Sequence, residues 1–144
     1  MSTRGTIAVV LPDGQVRSIY VHFDSYLMGV GRTLLLFWDS QELAELITSI
    51  GDMSVLGERI VPIGIHTANY PESGTCLFFG RDCGENDVNP ITWISLAEYN
   101  LTNQFEEYNY LFFNGAWHVS QGSIGTKGMR KIEFSTCGTK VLIK

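Results

Sequence analysis

The sequence predicts an α+β fold: a mostly antiparallel β-sheet built from hairpins, with one or two helices packed on it. Alternating apolar stretches flank the turn Pro12-Asp13-Gly14, and a second pair flanks Asn114-Gly115. Both turns are typical of β-hairpins. Between them, Gln41–Ile50 carries apolar residues at helical spacing. With 144 residues and no linker-like stretch, the chain fits a single domain spanning residues 1–144.

The first third of the chain predicts two strands followed by two helices. Ile7–Leu11 and Gln15–Phe23 are rich in β-branched residues, and the second of these alternates between apolar and polar positions. A helix is predicted over Arg32–Trp38, and the next begins after the Asp39-Ser40 cap. The apolar face of this second helix is predicted to consist of Leu43, Leu46, Ile47 and Ile50.

The rest of the chain predicts short strands, turns and a helical segment. The strongest signal there is the hairpin formed by Tyr108–Phe113 and Ala116–Val119. The weaker elements are, in chain order, a turn or short helix over Asp52–Glu58, a strand over Ile60–His66 that contains Pro62, a strand over Thr75–Phe79, one or two helical turns over Ser95–Asn100, and a third hairpin from Lys131–Phe134 and Thr139–Ile143.

Composition excludes several classes of protein. Ten basic and fifteen acidic residues give a net charge of −5, which disfavours non-specific binding to nucleic acid. The longest apolar run, Thr33–Trp38, is far shorter than the roughly 20 residues that cross a membrane. No secretory signal pattern is present, and three cysteines do not make a disulfide framework. We therefore expect a cytoplasmic protein without membrane contact.

A first group of candidate binding residues follows the second strand. His22, Asp24 and Tyr26 are spaced by two, so they share one face if the strand continues. Imidazole, carboxylate and phenol on one face suit acid–base chemistry, metal binding or the recognition of a polar ligand. The alternative is that these side chains hydrogen bond to each other and stabilise the strand end.

A second group lies in the polar loop Gly80–Glu85. Arg81 offers a bidentate fork to a phosphate or carboxylate, and Asp82 and Glu85 accompany it among glycines. The loop lacks the lysine, serine and glycine spacing of known phosphate-binding motifs. Its alternative role is an Arg–Asp pair that stabilises a turn. We expect this loop to lie beside His22, Asp24 and Tyr26 and to form one polar binding patch with them.

Metal binding and cysteine catalysis have little support in the sequence. Cys76 and Cys83 are separated by six residues, and neither they nor the histidines show zinc-ligand spacing. No sequence feature marks a thiol as an activated nucleophile, and Cys76 lies in an apolar stretch typical of a core strand. We therefore expect no metal and no cofactor.

Aromatic residues are dense between positions 105 and 113. Tyr108, Tyr110 and Phe112 fall on one face of the predicted strand, while Leu111 and Phe113 fall on the other. Because the sheet core covers one face, the other needs a helix, the C-terminal hairpin or a second subunit. We expect the first three aromatic residues to form the interface of a homo-oligomer.

Several segments resemble a family of small proteins from bacteriophage and prophage genomes. They are Met1–Ala8, Ser18–Tyr26, Gly51–Glu58 and Arg81–Glu85, and the likeness extends over most of residues 1–120. Relatives usually carry His-Trp-Asp-Gly-Tyr where this chain has His22-Phe23-Asp24-Ser25-Tyr26, and often arginine where it has Cys83. The resemblance implies a phage origin but no particular chemistry.

Two functions from different classes follow from these observations. The first is a phage-encoded, non-enzymatic accessory protein that binds and neutralises a host protein, or sequesters a small nucleotide signal. The second is a small hydrolase or nucleotide-processing enzyme that uses His22, Asp24 and Arg81. Because the chain has no nucleophile motif, metal cluster or paired catalytic carboxylates, we favour the binding protein in the host cytoplasm.

Overall fold

A computed structural model of the protein describes residues 2–102, 104–122, 128–138 and 140–144. Three helices are present in this part of the chain: α1 (Arg32–Phe37), α2 (Gln41–Ile47) and α3 (Leu96–Leu101). A π-helical turn, Leu27–Gly31, leads directly into α1. The strands are β1 (Gly5–Val10), β2 (Val16–Val21), β3 (Met53–Val55), β4 (Leu77–Phe78), β5 (Ile91–Trp93), β6 (Tyr108–Phe113), β7 (Ala116–Gln121), β8 (Arg130–Phe134) and β9 (Val141–Ile143).

The strands form one mixed sheet in the order β4-β3-β2-β1-β6-β7-β8-β9. Strand β5 pairs with the first half of β2, and β3 pairs with its last residue. The three predicted hairpins, β1–β2, β6–β7 and β8–β9, are confirmed. However, β1 pairs with β6 in parallel, and β2 with β3, so the class is α+β with a mixed sheet. Both parallel pairs join distant segments, which no local turn signal reveals.

The hairpin turns follow from their residues. Asn114 and Gly115 both adopt positive φ, 50° and 75°, as the tight turn between β6 and β7 requires. Gly14 has a φ of 89° and donates its N–H to the carbonyl of Leu11, which closes the turn between β1 and β2. These turns fix the register in which β1 and β6 become the centre of the sheet.

Each face of the sheet centre is covered from within the chain. On one face, Tyr110 and Phe112 pack in a core with Leu34 of α1 and Ala44 and Ile47 of α2. On the other face, a second core consists of Ala8, Val16, Tyr99, Phe105 and Leu111. The helices and the segment after α3 therefore replace the second subunit that the aromatic density suggested.

The predicted interface residues need correction for this reason. Tyr110 and Phe112 are fully buried, and Tyr108 is half-buried against the first core. The hydroxyl of Tyr110 donates to the buried carbonyl of Ser25 at 2.7 Å. Two of the three aromatic residues therefore cannot contact another subunit, and self-association stays a prediction that needs a different surface.

Three other local predictions are wrong. Residues 53–55 form strand β3 instead of a turn or helix, because they pair with β2 and β4. Ile60–His66 is irregular and joins no strand pair. Helix α2 buries Ala44 and Ile47, whereas Leu43 and Leu46 are exposed. Within the described ranges, no helix is both long enough and apolar enough to cross a membrane.

Candidate functional site

The residues predicted after the second strand do not share one face. Strand β2 ends at Val21, and Asp24 has a φ of 60°, so the extended backbone that the spacing argument assumed is interrupted. His22 is half-buried and its Nδ1 lies 2.7 Å from the hydroxyl of Tyr20. Asp24 and Tyr26 are exposed, and neither side chain hydrogen bonds to any residue that the structure describes.

The two predicted polar segments are neighbours, but their charged groups do not meet. The ring of His22 lies 6.4 Å from that of Phe79, which directly precedes the Gly80–Glu85 loop. Arg81 instead lies over Phe78 on the first core, with its guanidinium carbon 4.8 Å from the ring centroid. The structure shows no hydrogen bond, ion pair or ring contact between His22, which contacts Phe79, and Arg81, which lies over Phe78. No single patch combines them among the described residues.

Asp82 is the centre of a buried polar network. Its carboxylate accepts hydrogen bonds from the N–H of Phe78 at 2.8 Å and from Arg81 at 2.8 and 3.0 Å. The Nε2 of His66 lies 3.3 Å from the same carboxylate. Burial raises the pKa of Asp82, but the hydrogen bonds and charge of Arg81 and the Phe78 N–H outweigh it and lower the pKa overall. Asp82 is therefore a carboxylate at neutral pH.

Arg81 is fully engaged in the same network. Besides Asp82, its guanidinium donates to the carbonyl of Ile60 at 2.7 Å and to that of Cys76 at 3.1 Å. These contacts tie strand β4 to the start of the irregular segment that follows β3. Arg81, which the sequence suggests as a ligand-binding residue, thus joins two backbone segments of the protein itself. This agrees with the alternative role, an Arg–Asp pair that stabilises a turn.

Glu72 forms a second network inside that irregular segment. Its carboxylate accepts from Thr75 and from the backbone N–H groups of Ile63 at 3.0 Å and Gly64 at 2.7 Å, while Arg59 lies 3.7 Å away. These contacts, the Thr75 hydrogen bond above all, hold its pKa at about 2. One acidic side chain therefore joins the outgoing and returning limbs of the segment.

His66 connects the two networks. The backbone N–H of Glu72 donates to its Nδ1 at 2.9 Å, which assigns the ring proton to Nε2. That Nε2 lies 3.0 Å from the carbonyl of Cys76, to which it donates, and faces Asp82. The imidazole is almost fully buried and satisfied on both nitrogens, so its role is to fix the backbone of the segment.

The segment held in this way exposes large apolar side chains. We call residues 60–74 the apolar loop. Its four most exposed large apolar side chains have 74–81% of their surface accessible, and they are Val61, Ile63, Ile65 and Tyr70. A loop with this much apolar surface, anchored by buried charged groups, is typical of a contact surface rather than of a solvated linker.

A polar cleft of about 210 Å³ opens on the other side of the sheet, where β3 and β5 diverge from β2. Tyr20, Asp52 and Glu106 line it. The side chain of Asp52 accepts a hydrogen bond from the backbone N–H of Tyr20 at 2.8 Å, where a neighbouring strand would otherwise supply a carbonyl. Burial raises the pKa of Asp52 and of Tyr20. The part of the lining that the structure describes contains two carboxylates, which repel phosphate, and the charge of Arg4 also acts on Tyr20 in this cleft.

The cysteines have the chemistry of core and turn residues. Burial raises the pKa of Cys76 to about 11, and its thiol shares a close contact with the backbone of Gly57. Burial, with the charges of Glu85 and Asp82, also raises the pKa of Cys83. Neither thiol is an activated nucleophile at neutral pH. In the part of the chain that the structure describes, no three His, Cys, Asp or Glu residues form a group that could hold a metal ion.

The sequence pointed to part of this site and missed the rest. Arg81 and Asp82 are confirmed as an Arg–Asp pair, whereas Glu85 makes no side-chain hydrogen bond or ion pair with the described residues. His66 and Glu72 were not predicted, because their partners are backbone groups and side chains, such as Asp82 and Thr75, that no motif spacing reveals. Comparisons with protein-family models, with curated proteins and with solved structures found no match for this chain.

Proposed function

We propose that this chain is a phage-encoded, non-enzymatic accessory protein that binds and neutralises a host protein in the host cytoplasm, and that the apolar loop is its contact surface. The observation that carries the proposal is the exposure of Val61, Ile63, Ile65 and Tyr70 on a loop whose backbone is fixed by buried polar groups. The phage origin rests on the sequence resemblance alone.

The apolar loop offers a partner apolar surface whose backbone is already held in place before binding. Burying a large apolar side chain contributes about 1.5–3 kcal/mol, so four such side chains offer roughly 6–12 kcal/mol before the costs of association. Ordering a flexible loop on binding would subtract from this gain. The hydrogen bonds of Glu72, His66 and Arg81 to the loop backbone reduce that cost because the loop is held before the partner arrives.

The competing functions have less support. A hydrolase built on His22, Asp24 and Arg81 needs these groups to converge, yet Arg81 is committed to Asp82 and two carbonyls, while His22 contacts the hydroxyl of Tyr20. Sequestration of a nucleotide needs a cation for the phosphates. Among the residues that the structure describes, the lining of the polar cleft holds the carboxylates of Asp52 and Glu106, which repel phosphate. Protein binding is therefore the function that we propose.

The test compares two double variants in capture from host lysate. Ile63→Gln/Ile65→Gln removes apolar surface from the loop without adding charge. Ile94→Gln/Leu101→Gln is the matched control, because those side chains are 76% and 87% exposed outside the loop. We expect the wild type and the control to retain the same host protein, and the loop variant to lose it. Equal retention by all three proteins would refute the proposal.

A further inference from the structure

The apolar loop lies in an acidic part of the molecule. Residues 57–87 contain five acidic and two basic side chains, a net charge of −3. Arg59 is paired with Glu58 and Glu72, and Arg81 is paired with Asp82. Both arginines are thus neutralised within the chain. The carboxylates of Glu85 and Asp87 form no ion pair with the residues that the structure describes. The stretch of chain that contains the apolar loop therefore carries uncompensated negative charge.

The opposite edge of the sheet has the opposite charge. Residues 128–144, which contain the β8–β9 hairpin, carry four basic side chains and one acidic side chain, a net charge of +3. Glu133 pairs with Lys144, so Lys131 and Lys140 remain without an ion pair among the described residues. Strand β9 ends the sheet at one edge and β4, which precedes the Gly80–Glu85 loop, ends it at the other. The chain is therefore electrically polarised across its sheet.

The basic edge also has two hollows whose lining mixes polar and apolar side chains. One hollow of about 260 Å³ lies beside β8 and is lined by Lys131, Ile132 and Phe134. Another, of about 210 Å³, includes Arg130 and Ile143. The first also contains Asp39 and Glu133; burial raises the pKa of Asp39, and the positive charge of Lys131 partly offsets this effect. Hollows that combine cations with apolar side chains complement an apolar loop within an acidic stretch of the chain.

We propose that the apolar loop of one copy of this chain docks on the β8–β9 edge of a second copy. The arrangement is head-to-tail, because the apolar loop adjoins β4 at one edge of the sheet and the basic β8–β9 hairpin forms the other edge, whereas an isologous contact would need both surfaces of each copy in one interface. The dimer formed in this way keeps one free loop and one free basic edge, so growth leads to rings or short chains.

This inference rests on the apolar loop as the contact surface of the proposed function, and it adds regulation to it. A loop seated on a second copy is unavailable to a host protein. Self-association and partner binding therefore compete, and the protein is released from its assemblies as the partner takes the loop.

The test uses complementary variants in sedimentation equilibrium. Wild-type protein at about 100 µM should show an average mass above 16.1 kDa that falls towards this value as salt is raised to about 1 M, where the Debye length is about 3 Å. The loop variant Ile63→Gln/Ile65→Gln and the edge variant Lys131→Glu/Lys140→Glu should each be monomeric alone. Mixed, they should form a dimer of twice the chain mass and nothing larger, because only one competent contact remains.

A charge swap keeps the test decisive if the loop variant folds poorly. Glu85→Lys/Asp87→Lys should abolish association, and combining it with Lys131→Glu/Lys140→Glu in one chain should restore it. Wild type that stays at 16.1 kDa at every concentration, or mixed variants that stay monomeric, would overturn the inference. If capture of the host protein still depends on Ile63 and Ile65 in that case, the proposed function stands without it.

Discussion

Replacing Asp82 by alanine removes the acceptor on which three elements converge. The N–H of Phe78, two nitrogens of Arg81 and Nε2 of His66 all lie within 3.3 Å of a carboxylate that is only 7% exposed. Breaking a buried charged pair on one side costs about 3–5 kcal/mol. Arg81 keeps 31% of its side chain in solvent and recovers part of its hydration, so we expect a loss of about 3 kcal/mol in the free energy of unfolding.

Urea unfolding measures this loss, and native-state hydrogen exchange locates it. The amides of Ile63, Gly64 and Cys76, which donate inside or next to the apolar loop, should lose protection. Asp82→Asn keeps one hydrogen-bond acceptor, so its free energy of unfolding should fall by about half as much, roughly 1.5 kcal/mol. A loss below about 1 kcal/mol in Asp82→Ala, with protection of the loop amides unchanged, would refute the claim that this network holds the loop.

Three further outcomes follow from the same contacts. Because the pKa of Glu72 is held at about 2, below its ordinary value of 4.5, its stabilising contribution is complete above about pH 4.5 and is lost as pH falls towards 2. In Glu72→Gln, the melting temperature should therefore depend less on pH across this window than it does in the wild type. Tyr110→Phe leaves the buried carbonyl of Ser25 without its donor and should cost about 1.5 kcal/mol in urea unfolding. In Gly57→Ala the new methyl group collides with the backbone carbonyl of Gly74, so stability should fall by about 2 kcal/mol and the loop amides should exchange faster; unchanged exchange would contradict this.

Local chemistry determined which parts of the fold the sequence could predict. The hairpin turns depend on residues that tolerate positive φ, such as Asn114 and Gly115, and these signals are local and specific. Pairing between β1 and β6 depends on segments about a hundred residues apart, for which alternation alone specifies no partner. The sequence therefore predicts the hairpins correctly and the mixed character of the sheet not at all.

The candidate site shows the same division. Arg81 and Asp82 are adjacent, so their pairing could be anticipated, whereas the contact of Asp82 with His66 spans sixteen positions. The alternation at Val61, Ile63 and Ile65 predicts a half-buried strand, but Pro62 removes a backbone donor and Glu72 takes the N–H groups of the next two residues. The carboxylate of Glu72 thus accepts the backbone hydrogen bonds that a neighbouring strand would have accepted, and the side chains of Val61, Ile63 and Ile65 remain exposed to solvent.

The most direct test of the central claim is a hydroxyl-radical footprint of the protein alone and bound to the host protein it captures. We expect oxidation of the peptide that contains residues 61–70 to fall sharply when the host protein binds, and oxidation of Tyr70 to fall in particular. Oxidation of Leu101, which is more exposed than any of the four large apolar side chains of the apolar loop, should not change. Protection at the polar cleft around Tyr20, with the apolar loop as reactive as in the free protein, would contradict it.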